Sequence, residues 1–398
     1  MTNSTSLSRY ICMEQELSNI GIIGGGPAGS ACAYFINQMN PDLKVSVIDT
    51  NPMRTILPTG GGRCNLGFAE FNFKDLAKNY PRGEKFLYSV FSKFSTADTV
   101  DLFSELGIET YIQEDMRIFP TSNSSQEVRD KFLKRLYAKN RVIKENALRI
   151  ERLDNGFRVI TDMGSYDFDK LVVATGGHSG YDMIKRLGVE IVPLVPSLVG
   201  LVTKENFASI KGVALKDVYN KETGMTGDML FTHFGVSGPL IYKISSVFAR
   251  KDMPYSLTFD LCQGLEDLQG IMNDNPHKYI KNLLSEYLPH SLVEFILNQT
   301  SINADTKAHM INGKMRDGIL DKIHNFTVSV KSTKKDGETV TAGGVDLNKV
   351  NSKTMEYRDI PNLYFIGEIL DIDGFCGGFN LQNCWSTAYV CAKGITAD

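Results

Sequence analysis

Apolar positions along the chain change period several times, and each change marks an element. Residues 20–23 form a short β-branched run that ends in glycines, which predicts a buried strand. From Pro27 to Met39 the spacing is helical, and Pro41-Asp42 stops it. Residues 45–48 return to a continuous apolar run, so the chain opens with a βαβ unit. Glycines and Arg63 make a loop over 59–67. Residues 71–140 read as mostly helical, with helical spacing over 84–94, 96–106 and 124–140. Segments 156–161 and 165–168 alternate as a hairpin around Met163-Gly164. Residues 171–174 are another buried strand, ending in Thr175-Gly176-Gly177.

The pattern changes from Val189. Strands are expected at 192–202, 214–219, 229–231 and 255–260. Helices follow over 265–325, broken at Pro276 and Pro289. Strands return at 326–331 and 338–341, then a last apolar strand at 363–366 and a last helix at 378–393. This order describes an α/β, Rossmann-like dinucleotide domain interrupted by a β-rich domain with a helical insert. The expected boundaries are a disordered extension at 1–17, a first dinucleotide part at 18–188, a β-rich substrate domain at 189–262 and 326–345, the insert at 263–325, and a second dinucleotide part at 346–398. A chain of 398 residues is long enough for two or three domains.

Composition adds three limits. A net charge of −3 argues against a generic polyanion binder, though a local basic face is compatible with it. The one basic stretch runs from Arg129 to Arg152; a solvated face is its usual meaning, and an RNA-backbone contact is the functional one. The 7 cysteines are odd in number and form no C-x-x-C pair, which points to free thiols in a reducing, cytoplasmic setting. The N-terminal residues have no apolar core of a secretory signal, and no run approaches the roughly 20 apolar residues that span a bilayer. No spacing of His, Cys, Asp and Glu suggests a metal site.

Gly24, Gly26 and Gly29 form G-x-G-x-x-G between a strand and a helix, with Gly25, Pro27 and Ala28 filling the turn. The first glycine permits the turn, the second lets backbone approach a pyrophosphate, and the third lets helix and strand pack closely. The helix N-terminus offers N–H groups and partial positive charge to phosphates. Asp49 ends the second strand about 20 residues further on, where a carboxylate accepts ribose hydroxyls. Two later segments decide which dinucleotide. Residues 171–177 (LVVATGG, with Thr175 and Gly176) resemble the second contact strand of two-dinucleotide-binding flavoproteins. Residues 363–368 (LYFIGE, with Gly367 and Glu368) resemble their last strand, whose acid meets the ribityl chain. The expected cofactor is FAD.

Residues 59–65 (TGGGRCN) narrow the reading. They resemble the S-G-G-G-R-C-N loop of the HI0933-like flavoproteins, also called aminoacetone-oxidase-like or BaiN-like. Residues 117–120 (RIFP) resemble the family's G-R-x-F-P, with Met116 in place of the glycine. Residues 231–239 (FTHFGVSGP), 341–345 (TAGGV) and 367–382 (GEILDIDGFCGGFNLQ) resemble further signatures, so the resemblance runs from about Ile20 to Ile395. It implies an FAD domain, a β-barrel-like middle domain and a helical insert. The activities it implies are amine oxidation with O₂, reduction of conjugated steroid double bonds, and reduction of a uridine in ribosomal RNA. Two departures fall where a substrate pocket is expected. The loop after Gly177 is short, and Cys376 and Phe379 stand where Thr and Tyr are commoner.

Candidate chemistry follows. The turn at Gly377-Gly378-Phe379-Asn380-Leu381 opens the last helix, and its N–H groups suit the pyrimidine end of a flavin; Gly378, Asn380 and Leu381 are the expected contacts. Arg63 is expected near FAD phosphates or an anionic substrate. Cys64 is the candidate proton donor beside the flavin, although free cysteines are more often buried packing residues. His233 reads as a turn residue rather than an acid–base group. There is no second G-x-G-x-x-G, so NAD(P)H, if it is the donor, uses the same flavin face in turn. Reductase and oxidase are both open, the substrate is a small molecule or rRNA, and the oligomeric state is not specified.

Overall fold

The computed structural model describes residues 18–334 and 340–397. The extension expected at 1–17 and the start of the strand expected at 338–341 lie outside the described residues.

Five parallel strands form the central sheet: β1 (Asn19–Ile23), β2 (Lys44–Ile48), β3 (Arg141–Ile143), β4 (Lys170–Val173) and β5 (Leu363–Phe365). Their order in space is β5-β4-β1-β2-β3. A parallel sheet is covered on both faces, which is why these strands read as unbroken apolar runs. Ile20, Ile22, Val47 and Val172 are fully buried. Helix α1 (Pro27–Met39) starts as expected, with Gly26 as N-cap and a proline in its first turn. Helix α2 (Phe379–Thr396) lies along α1 and carries Trp385, which donates its indole N–H to Leu66 O at 3.0 Å.

The stretch expected to be mostly helical, 71–140, also holds short strands. Thr110–Ile112 and Arg117–Pro120 pair antiparallel, and Gly67–Phe68 joins them. The helix Ser125–Lys139 is capped by Ser124 Oγ, which accepts the Glu127 N–H at 3.3 Å. The expected hairpin forms and gains Ala147–Leu153 as a third strand.

A closed barrel of six antiparallel strands makes the second body: Leu201–Thr203, Gly235–Ser237, Met225–Phe231, Ala214–Asn220, Tyr255–Asp260 and Phe326–Thr333, in that order around the ring. Closure removes exposed strand edges. The helices between Tyr255–Asp260 and Phe326–Thr333 do not form a separate core. Phe207 lies 5.1 Å from Phe231 of the barrel and 5.9 Å from Phe295 of the helix His290–Gln299. Barrel and helices therefore share one apolar cluster, distinct from the one around the parallel sheet.

The apolar run 192–202 is not one strand. It breaks at Leu198, whose φ is 55°. Its first half, Ile191–Ser197, pairs antiparallel with Val340–Val345 as a two-stranded ribbon, and its second half enters the barrel. A helix that the pattern did not predict, Pro239–Val247, packs on the barrel side of this junction. No helix among the described residues is long and apolar enough to cross a membrane.

Candidate functional site

The C-terminal ends of β2, β1, β4 and β5 form one edge, the side on which open α/β sheets bind ligands. Gly24 turns there with φ 96°, and its N–H donates to Ile48 O at 3.0 Å. A side chain at Gly24 would run into Ala174 O, and one at Gly29 into Gly24 O. Gly26 differs: the nearest atom to a built Cβ is Thr55 Oγ1 at 3.6 Å, so space lies open before the first turn of α1. Asp49 braces the turn. Its Oδ2 accepts the Gly25 N–H and its Oδ1 accepts the Asn51 N–H, both at 2.7 Å. Each oxygen keeps a further lone pair for a hydroxyl. Pro27 and Ala28 complete the first turn, and Gly367, with φ 73°, packs against Ala28 so closely that a Cβ there would lie 2.7 Å from the alanine methyl.

Thr175 and Ser179 close the loop after β4 by exchanging hydroxyl-to-carbonyl bonds of 2.8 and 3.0 Å. Gly176 has φ 79° and open space where a side chain would be. Glu368 sits beside Gly177; a Cβ on that glycine would be 3.0 Å from Glu368 Oε1. Burial raises the Glu368 carboxyl above the usual carboxylate range, against the lowering pull of His178 and of the Thr341 and Gly177 N–H groups. Three motifs, from Gly24 to Glu368, are thus in contact along one edge.

The fourth motif meets the C-terminal turn. Gly378, φ 97°, lies where a Cβ would be 2.6 Å from Gly67 O and 2.8 Å from Asn65 Oδ1. Phe68 packs on Phe379 with ring centres 4.8 Å apart, and Tyr80 donates its hydroxyl to Phe379 O at 2.6 Å. Asn380 does not point outward: its side chain accepts from Gly374 N–H at 2.8 Å and donates to Gly374 O at 3.0 Å, closing the turn 374–380. Leu381 is half-buried against the core of the sheet.

Cys64 and Arg63 lie in the loop that meets this turn. Cys64 is completely buried, and burial pushes its thiol up to about 12 although a Thr59 hydrogen bond pulls it down. Its side chain packs in the core around the parallel sheet. Arg63 is laid over the Phe119 ring, 4.2 Å from its centre, with Nε 3.4 Å from Gly60 O. Both contacts are made with the loop and with the strand Arg117–Pro120. His233 is exposed at a turn closed by Thr232 and Gly235.

These residues fit an FAD. Gly26 and Gly176 leave the cradle that a pyrophosphate needs at the N-terminus of α1, and Asp49 and Glu368 place acceptors at its two ends. Asn65 Oδ1 is buried beside the turn without a partner, an acceptor that a donor on a bound group would satisfy. Residues missed by pattern reading are Tyr80, which bonds the turn at Phe379 O, and Arg82, Asp371 and Asp373, which form ion pairs just before it. The repeated acids in 371–373 are the only local signal of them.

A family model described as the HI0933-like protein Rossmann domain matches residues 18–394. The ribosomal RNA dihydrouridine synthase of Escherichia coli (strain K12) is 30% identical, covering 94% of this chain and 97% of its own length. The 3-dehydro-bile acid delta(4,6)-reductase of Clostridium scindens is 27% identical, covering 95% of this chain and 98% of its own. The open conformation of a flavocytochrome c3 fumarate reductase superposes with TM-score 0.51 at 15% identity, covering 96% of this chain and 78% of that one, a likeness of fold.

Proposed function

The chain belongs to the HI0933-like family and is an FAD-dependent oxidoreductase, and from that premise we propose that it reduces a carbon–carbon double bond conjugated to a carbonyl, the uracil ring of a ribosomal RNA uridine being the substrate. The two curated relatives support the reaction class. Dihydrouridine is uridine whose C5=C6 bond, conjugated to the C4 carbonyl, has gained a hydride and a proton. A delta(4,6)-reductase of a 3-dehydro bile acid acts, by its name, on double bonds conjugated to the 3-oxo group.

The observation that carries the RNA substrate is the basic stretch. Lys134, Arg135, Lys139, Arg141, Lys144, Arg149 and Arg152 are all exposed, from the helix Ser125–Lys139 through β3 to the strand Ala147–Leu153. β3 is an outer strand of the sheet. Concentrating these cations in a chain of net charge −3 suits a phosphate backbone. Aromatic rings lie among them: Arg141 sits 5.1 Å from the centre of Tyr166, and Lys144 5.7 Å from that of Tyr137.

In this reading FAD supplies the hydride. The first turn of α1 and Gly26 hold its pyrophosphate, Asp49 the adenosine ribose, and Glu368 the ribityl chain. The turn at Gly377–Gly378 and the N-terminus of α2 would hold the pyrimidine end, where their N–H groups would favour negative charge. NAD(P)H is the donor and uses the same flavin face before the uridine. An rRNA substrate accords with a cytoplasmic location.

The direct test compares dihydrouridine in rRNA from a deletion strain and its complemented parent. Loss on deletion and return on complementation are expected; an unchanged level sinks the rRNA assignment. Anaerobic mixing with NADH or NADPH should bleach the bound flavin, and failure with both would remove the reductase form.

A further inference from the structure

The barrel is joined to the flavin-binding part through the ribbon of Ile191–Ser197 and Val340–Val345. Beneath the ribbon lies the segment 371–373, directly before the turn 374–380. Its two carboxylates are each shared between parts of the molecule. Asp373 is fully buried and takes a two-pronged ion pair from Arg82 Nε and Nη2. It also accepts the hydroxyls of Ser197 at 2.7 Å and Ser246 at 3.0 Å. Arg82 in turn donates to Ser246 O at 2.8 Å and Ser246 Oγ at 2.9 Å. Asp371 pairs with Arg250 and accepts the Gly343 N–H at 3.1 Å.

These partners come from three bodies. Arg82 belongs to the flavin part, Ser197 and Gly343 to the ribbon, and Ser246 and Arg250 to the end of the helix Pro239–Val247 and the turn after it. Burying a charged pair costs desolvation that apolar residues of the same volume would avoid. Stability alone therefore gives no reason for this arrangement. What charged, two-pronged bonds add is direction, because they hold only in one relative placement of the groups. The Arg82–Asp373 pair lies within the flavin part, and the bonds from it to Ser197 and Ser246, with those from Asp371 to Arg250 and Gly343, cross to the ribbon and to the helix end; the segment that collects them leads straight into the turn.

We propose that 371–373 is a lock that sets the barrel's position over the turn 374–380, with Asp373, Arg82, Asp371 and Arg250 as positioning residues. The lock rests on the reading of that turn as flavin-facing only for its effect on the reaction.

The test is hydrogen exchange by mass spectrometry on the full-length, FAD-loaded protein, comparing wild type with Asp373→Asn, Arg250→Met and Arg250→Lys. Asp373→Asn and Arg250→Met are expected to speed exchange about tenfold in the ribbon and the turn. β1 and the barrel strands Tyr255–Asp260 and Phe326–Thr333 should keep wild-type rates, and Arg250→Lys should restore the ribbon. KM for the substrate should rise more than kcat falls. Unchanged exchange in the ribbon, or an equal rise in β1 and the barrel core, overturns the lock in favour of a plain structural brace. Arg250 is 40% exposed, so its variants carry the test even if Asp373→Asn does not fold. The flavin-facing reading fails separately: FAD would then leave exchange in the wild-type turn unchanged.

Discussion

At the scale of the residue, Asp49 and Glu368 share a chemistry and differ in setting. Asp49 is tied to two backbone N–H groups at a strand end. Glu368 is raised by burial. A carboxyl whose folded value lies above its unfolded value, about 4.3, binds its proton more tightly in the folded chain. The flavin-free protein therefore holds this contribution below that value and loses it as pH rises through the raised one. Glu368→Gln removes the dependence. Its stability relative to wild type, read from urea midpoints without flavin, is expected to improve from about pH 4 to about pH 8; a constant difference would refute the burial argument. The same variant should bind FAD about ten- to a hundredfold more weakly if Glu368 holds the ribityl hydroxyls. A second residue-scale expectation concerns Met116. It stands where the resembling motif has glycine, it has φ 65°, and it is 44% exposed. Relief of left-handed strain exceeds glycine's entropic cost, so Met116→Gly should stabilise by about 0.5–1 kcal/mol in urea titrations. Sequence made the residue types of this site legible and not the direction of their side chains. Cys64 and Arg63 belong to a telling motif, yet one packs inward and the other lies on Phe119. Nothing local in TGGGRCN sets those directions.

Elements were legible where their ends are written in local chemistry. Pro27 starts α1 and the Asn40–Pro41 stop ends it, so both bounds were readable. The hairpin 156–168 was readable because its alternation and its turn agree. Elements set by partners elsewhere were not. The run 192–202 is continuously apolar, and only the left-handed Leu198 sends its halves into different sheets. The strands at 67–68, 110–112 and 117–120 are two to four residues long, too short to show a period. The strand-to-helix turn at Gly24 gives a direct test of the reading at this scale. Its φ of 96° and the Ala174 carbonyl leave no room for a methyl group. Gly24→Ala is expected to cost about 2–4 kcal/mol of stability. It should also lower the flavin-to-protein absorbance ratio of the purified protein, because the turn sets the approach to the first turn of α1. A variant with full flavin content would show that the turn tolerates displacement and is not the cofactor's anchor.

At the scale of the molecule, the order of predicted elements was enough for a Rossmann-like domain interrupted by a β-rich one, and the family resemblance supplied the barrel. What the order did not contain is how the two bodies are fastened. Ser246 and Asp373 are 127 positions apart and Arg250 and Asp371 are 121 apart, so no window of sequence shows either pair. The fastening is polar, whereas each body has its own apolar core. Junctions of that kind resemble transient interfaces, and the bodies are expected to unfold as separable units. The single tryptophan makes this measurable. Trp385 is fully buried in the core of the parallel sheet, stacked on Phe132 with ring centres 5.6 Å apart, and the barrel has no tryptophan. Its emission therefore reports the flavin part alone. FAD at about a hundred times its dissociation constant adds roughly 2.7 kcal/mol to whatever unit binds it. With a urea slope of about 2–3 kcal/mol per molar, the Trp385 transition should move up by about 1 M. Hydrogen exchange in the barrel strands Tyr255–Asp260 and Phe326–Thr333, followed across the same urea series, should move far less. Equal displacement of both signals would mean that the bonds from Asp373 and Asp371 to Ser197, Ser246 and Arg250 couple the two cores into one cooperative unit, and the separable-unit reading would be lost.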